Sequence, residues 1–346
     1  MFHFDSDYCN GAHRDVLQHL IDTNEQKSVS YGYDEWSDSA RRKIRECIEC
    51  PDASVEFLVG GTQTNATVLD SMLATGDGVI AVETGHIAVH EAGAIETSGH
   101  KVITIKGVDG KMMADDLDAY MSRFYADETY LHMVQPGVVY VTFPTELGTL
   151  YNAKELGDLY DVCKKFKLRL FIDGARLGYG LMARECDFDI RWLARHCDVF
   201  YIGETKLGAL CGEAVVFPNG NTPRNYFTSV KRHGALLAKG RLVGVQFDAL
   251  FTDNLYFRIS NHAIDKAHEV RQTFEDAGFK MYNDSPTNQQ FVALPNKHLK
   301  RMKETVAFEY WEPLDADNML CRFVTSWATT EKDVDGLKKA LANLSI

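Results

Sequence analysis

A chain of 346 residues with a formal net charge of −12 has no basic surplus with which to neutralise a nucleic-acid backbone. At roughly 100–200 residues per domain its length fits two domains, and a 45% hydrophobic content can fill a large core. No apolar run reaches the about 18 residues of a membrane span, and the opening "MFHFDSDYCNGAHRDVL" lacks a basic segment followed by an apolar one, so a cytoplasmic protein is expected.

The first 40 residues read as an irregular N-terminal segment. Next comes "RRKIRECIECPDAS", a helix end before Pro51 that carries the pair Cys47 and Cys50. No second ligand pair at matching spacing exists for zinc. A redox thiolate belongs at a helix start rather than an end. Packed, free thiols are therefore expected there.

From residue 55 onward, short β-rich runs alternate with helical stretches. The strand candidates are "VEFLVG" (55–60), "GVIAVE" (78–83), "KVITIK" (101–106), "GVVYVTF" (137–143), "LRLFID" (168–173), "DVFYIG" (198–203) and "EAVVF" (213–217). Helices are expected at "TNATVLDSMLAT" and "AKELGDLYDVCKKF". Such alternation predicts an α/β fold with a mostly parallel, buried sheet of seven strands in a large domain over 41–245. After residue 225 a basic stretch, "RNYFTSVKRHGALLAKGR", leads into longer helices. The last part reads as strand, helix, strand, helix: "FVALP", "KHLKRMKETV", "MLCRFVTSW" and "EKDVDGLKKALANL". It predicts a smaller α/β domain over 246–346.

Ligands of parallel sheets bind outside the carboxyl ends of the strands, so those ends carry the functional reading. In "LVGGTQTNATVLDSML", Gly60, Gly61 and Thr62 leave a strand and open a helix, which offers free N–H groups to an anion. The stretch matches neither the Walker loop nor the dinucleotide fingerprint. His86 follows the second strand by three residues, and His90 would share its helix face. A metal on that pair would need a carboxylate from elsewhere, so no metal is expected. Asp173 ends a mostly apolar strand, with Arg176 three residues on. Lys206 follows "CDVFYIGET" closely; a desolvated lysine becomes a nucleophilic amine. Taken singly, each has an ordinary alternative: a capped glycine turn, a satisfied histidine, a structural ion pair, a solvated lysine. Taken together they are the parts pyridoxal phosphate needs: a phosphate cradle, an imidazole for its ring, an acid for its ring nitrogen and an amine for its aldehyde.

At these residues the sequence resembles the threonine aldolase / β-eliminating lyase family of pyridoxal-phosphate enzymes, with the aspartate-aminotransferase-like fold. The likeness runs from "FDSD" to "CRFVTSW", and its most specific pieces are "GGTQTN", "GHIAVHEAG", "FIDGARLGYG" and "ETKLGALCGEAVVF". The resemblance implies that Lys206 forms the Schiff base, Asp173 faces the pyridinium nitrogen and His86 stacks on the ring. It implies phosphate binding by Gly61 and Thr62, and a substrate-carboxylate clamp of Ser6, Arg176 and Arg322. Tyr31, in "SYGYDEW", matches a tyrosine that reaches the cofactor across a subunit interface. The basic segment with Arg232, Lys239 and Arg241 resembles one that contacts phosphate, in a register the sequence leaves open. Homodimers that pair into homotetramers are implied.

The implied reaction is cleavage of the Cα–Cβ bond of a β-hydroxy amino acid, such as L-threonine or L-allo-threonine, to glycine and an aldehyde. One departure bears on it. Where the typical aldolase has a histidine, in a loop like "ENTHNG", this chain reads "TFPTELGTLY", with Glu146 at or beside the place. Glu146, His86 or a water held by it would then take the β-hydroxyl proton. Three alternatives stand beside this reading: β-elimination or transamination on the same scaffold, a cofactor-binding protein without catalysis, and a nucleotide-dependent α/β enzyme.

Overall fold

The computed structural model describes residues 1–344. The chain opens on a two-residue strand, β1 (Phe2–His3). All seven expected runs then become strands of one sheet: β2 (Ser54–Leu58), β3 (Asp77–Val82), β4 (Lys101–Ile105), β5 (Gln135–Thr142), β6 (Arg169–Asp173), β7 (Val199–Gly203) and β8 (Glu213–Phe217). Their spatial order is β2-β8-β7-β6-β5-β3-β4. Only β8 runs against its neighbours, pairing antiparallel with β2 and with β7; every other pair is parallel.

The central runs are apolar without interruption because both faces of the sheet are covered there. Successive residues point to opposite faces. Val79, Val138, Phe171 and Val199 lie in one buried cluster, while Ile80, Val139, Ile172 and Phe200 lie in the other. Helices pack on both sides, among them Gly61–Met72 and Ala153–Lys165. The second starts at a capping box in which Asn152 and Glu155 satisfy each other's backbone N–H groups.

The N-terminal segment is not irregular. It holds a helix over Arg14–Thr23 and the start of another over Glu35–Ile48, both packed against the helix Arg241–Leu250. The first helix shows a helical spacing in the sequence, with Val16, Leu17, Leu20 and Ile21 on one face, yet of its ten residues only Val16 and Thr23 are buried, while Leu17 and Ile21 face outward.

The C-terminal part forms a second, antiparallel sheet of β9 (Gln289–Pro295), β11 (Glu309–Pro313) and β12 (Asn318–Val324), in the order β11-β12-β9. A short β10 (Val306–Ala307) pairs with β1 and ties the chain's start to this layer. β11 adds an edge strand that the strand–helix–strand–helix expectation lacked. The 22-residue helix Leu255–Asp276 links the two cores. Its first half, with Tyr256, Ile259 and Ala263, packs in the core of the large sheet. Its second half, with Val270 and Phe274, packs with Val292, Phe323 and Leu337 beside the small one.

Candidate active site

The ends of β2, β6 and β7, the start of β8 and one side of β12 converge on a cavity of about 450 Å³. It gathers Gly61 and Thr62, His86, Glu146, Asp173, Arg176, Lys206 and Arg322 in one place. These positions are up to 261 residues apart in sequence, and the packing of β12 of the small sheet over the carboxyl ends of the large one unites them.

Asp173 is 4% exposed and accepts from four donors. Its Oδ1 accepts from the Tyr201 hydroxyl at 2.5 Å and from the Ala175 backbone N–H at 3.0 Å. Its Oδ2 accepts from the Tyr140 hydroxyl at 2.5 Å and from the Asn65 amide at 3.0 Å. Burial alone would raise its pKa. The charge of His86 and the bonds from Tyr140, Tyr201 and Asn65 outweigh burial and hold the carboxyl below its ordinary range. The site thus contains a fixed, ionised acid.

His86 opens a short helix after β3, and its Nδ1 lies 2.7 Å from Glu91 Oε1. Burial pulls the imidazole pKa down, but Glu91, Glu146 and Asp173 together push it above the ordinary 6.5. The Asn65 amide nitrogen donates to Glu91 as well as to Asp173, so it bridges the two acids.

Lys206 sits in the loop between β7 and β8. The Tyr179 hydroxyl donates to its carbonyl at 2.6 Å and fixes the backbone there. Burial first, and then the charge of Arg176, depress the amine's pKa. Beneath it two acids are buried. Glu204 has both carboxylate oxygens unpartnered, and Gly212, at φ +149°, leaves them room: a Cβ there would lie 2.1 Å from Glu204 Oε1. Glu213 accepts from the Thr205 hydroxyl at 3.0 Å through Oε1, while its Oε2 has no partner.

Two arginines face the cavity. Arg176 donates from Nε and Nη2 to both oxygens of Asp7, at 2.7 and 3.1 Å. Arg322 donates to Gln289 Oε1 at 2.6 Å and to Glu309, and its guanidinium lies over the Trp311 ring. Sequence reasoning missed Asp7, Asn65, Glu91, Tyr140, Tyr201, Glu213, Glu309 and Trp311.

The remaining candidates lie elsewhere on the chain. Ser6 lines a neighbouring cavity with His3 and Asp5. Tyr31 is exposed and lines a separate cavity of about 510 Å³ with Tyr33 and Phe227. Arg232 bonds Asp70 on the outside of the helix that Gly61 opens. Lys239 is exposed. Arg241 donates to the carbonyls of Gln26 and Thr23 and stacks over Trp36. Cys47 and Cys50 are unpaired, and burial pushes the Cys47 thiol up to about 11, which makes it unreactive.

The residues present fit pyridoxal phosphate. The helix Gly61–Met72 starts at Gly60 with no side-chain cap and no acid in its first turn, so its N–H groups are open to a phosphate. A neutralisable amine and an ionised carboxylate face the same space.

A mostly parallel seven-stranded sheet with these groups at its carboxyl edge is that of a fold type I pyridoxal-phosphate enzyme. The chain belongs to the beta-eliminating lyase family, whose model matches residues 4–300, and it is a pyridoxal-phosphate-dependent lyase. It is 38% identical to the threonine aldolase of Leishmania major over 99% of both chains, with a TM-score of 0.95. It is 27% identical to a low specificity L-threonine aldolase of a Pseudomonas species, over 96% of this chain and 94% of the other. A mutant aspartate aminotransferase of Thermus thermophilus, 14% identical with a TM-score of 0.71 over 99% and 96% of the two chains, shares the fold.

Proposed function

We propose that this enzyme cleaves the Cα–Cβ bond of a β-hydroxy amino acid, L-threonine or L-allo-threonine, to glycine and an aldehyde. The observation that carries this is the 38% identity, over 99% of both chains, with a protein named threonine aldolase. When bound, pyridoxal phosphate supplies the electron sink for the pair left at Cα.

The chain's own residues divide the remaining work. Lys206 would hold the aldehyde carbon of the cofactor, and Gly61 and Thr62 its phosphate. Asp173, ionised and fixed by four donors, would keep the ring nitrogen protonated. His86 would cover the ring face. Arg176 and Arg322 would hold the substrate carboxylate and so set which Cα bond stands perpendicular to the ring. The proton of the β-hydroxyl goes to Glu146. His86 is held toward its charged form by Glu91, which suits a ring cover better than a base. Glu146 lines the cavity, and its charge acts on His86, Arg176 and Lys206.

Tyr31 and the basic residues Arg232 and Lys239 act on a neighbouring subunit's site in a homodimer or homotetramer. The exposed Leu17, Ile21, Val29, Tyr31 and Tyr33 support an apolar partner surface there. The unit over 41–245 carries the cofactor and that over 246–346 brings Arg322 to the substrate. Among the described residues no helix is long and apolar enough to cross a membrane. A cytoplasmic setting is supported by the eight free cysteines.

The test is purified enzyme with L-threonine, L-allo-threonine and phenylserine, following glycine and aldehyde. Release of pyruvate or another oxo acid without aldehyde would assign elimination or transamination instead.

A further inference from the structure

Arg176 and Arg322 face one cavity but hold their charges differently. Asp7 takes the Nε–Nη2 edge of Arg176 with both oxygens, and Asn288 fixes Asp7 in turn at 2.9 Å. The Asp7 side chain is fully buried. Separating that pair would strand a charge in a dry interior, so the pair is permanent. The same edge of Arg322 is only half used. Its Nη2 donates to Glu309, while its Nε, though buried, has no partner.

Glu309 is also the more accessible acid. Its side chain is 43% exposed, against none for Asp7. It lies on β11, whose outer edge pairs with no strand among the described residues. Glu309 is paired with Arg322 and Tyr310 with Cys321, and then the register slips, which leaves Trp311 as the extra residue of a bulge. A bulge disrupts the ladder locally and bends the strand that carries it.

We propose that Glu309 is a built-in occupant of the substrate-carboxylate position on Arg322, and that the α-carboxylate of the amino acid displaces it on binding. This rests on the reading of Arg322 as the carboxylate receptor. The exchange replaces a one-point contact by a two-point one. The incoming carboxylate takes Nε and Nη2 together, as Asp7 already does on Arg176, and fork-to-fork geometry favours the two-point ligand. Glu309 then swings to solvent. Before substrate arrives, Glu309 keeps the Arg322 charge paired in the cavity that also holds Lys206 and excludes anions that offer a single contact.

The experiment is titration of the holoenzyme with glycine, read by the cofactor's absorbance, in Glu309→Gln and Arg322→Lys variants. Glutamine keeps the shape and removes the competing charge. Glu309→Gln is expected to bind glycine about two- to fivefold more tightly, equivalent to about 0.4–1 kcal/mol at 1.4 kcal/mol per tenfold, the range of a half-exposed ion pair. Acetate, a bare carboxylate, is expected to compete with glycine at lower concentration in that variant than in the wild type. Arg322→Lys is expected to weaken glycine at least about tenfold, because a bidentate contact is lost. Glycine binding that is unchanged or weaker in Glu309→Gln, with Arg322→Lys impaired, overturns the proposal and makes Glu309 a buttress of Arg322. Unimpaired glycine binding in Arg322→Lys overturns the carboxylate-receptor reading itself.

Discussion

Asp173 and Glu91 are joined by one side chain, the amide of Asn65, which donates to Asp173 at 3.0 Å and to Glu91 at 2.7 Å. Because Glu91 also meets His86, the acid and the imidazole that line the cavity belong to one hydrogen-bonded chain. These bonds orient all three side chains, although Asn65 Oδ1 and Glu91 Oε2 are left without partners.

Asp173→Asn removes the charge and turns one of the two acceptors, the one facing Tyr140 or the one facing Tyr201, into a donor. The variant is expected to keep its fold and lose most turnover. Activity within about twofold of wild type, a difference of about 0.4 kcal/mol in the barrier, would refute the role. Asn65→Ala should cost less, because both tyrosines and the Ala175 N–H still hold the carboxylate.

The Lys206 amine is desolvated and close to Arg176, and both lower its pKa. Lys206→Ala is expected to abolish turnover and the visible band that arises from its linkage to the cofactor. A yellow variant that borohydride still bleaches would place the linkage on another amine.

Glu146→Gln keeps the side chain's size and removes its basicity. If Glu146 takes the β-hydroxyl proton, kcat for L-threonine is expected to fall about 10²-fold or more with little change in KM. The reverse pattern, a raised KM and unchanged kcat, would make Glu146 a binding residue.

Glu213 gives a pH signature in stability. Burial first, with help from the charge of Asp173, raises its pKa from 4.5 to about 8, against smaller opposing effects of Thr205 and Lys206. Between those two values the folded protein keeps a proton that the unfolded chain releases. The folded state binds more protons there, so stability falls as pH rises from 4.5 through about 8. Glu213→Gln removes that dependence. Its melting temperature is expected to exceed the wild type's by a few degrees at pH 8, with a gap that closes toward pH 5. Parallel melting profiles across that range would exclude a protonated Glu213.

The sequence made some of this legible and hid the rest for identifiable reasons. The seven sheet strands stood out because burial on both faces leaves uninterrupted apolar runs. Asp173, His86 and Lys206 stood out as polar residues where such runs stop. Tyr140 and Tyr201 did not, because inside an apolar strand a tyrosine reads as packing, and only coordinates reveal where its hydroxyl ends. Asp7 meets its partner Arg176 across 169 residues. Glu309 lies in "EYWEP", an edge strand broken by a bulge, too short and irregular to show alternation. Glu213 opens the run "EAVVF", and the beginning of a strand is not where ligands of a parallel sheet bind. Strand direction is not written in a run such as "EAVVF", and because β8 is reversed, its beginning lies where the other strands end.

That reversal also determines how Lys206 is tethered. Gly203 pairs with Glu213, so the nine residues between β7 and β8 leave the sheet and re-enter it at the same edge. The backbone under the lysine is a short arch with both feet in fully buried strands. It cannot swing aside without unzipping one of them. Any movement of the amine during a catalytic cycle is therefore confined to its own four methylenes, a pivoting arm on a fixed mount.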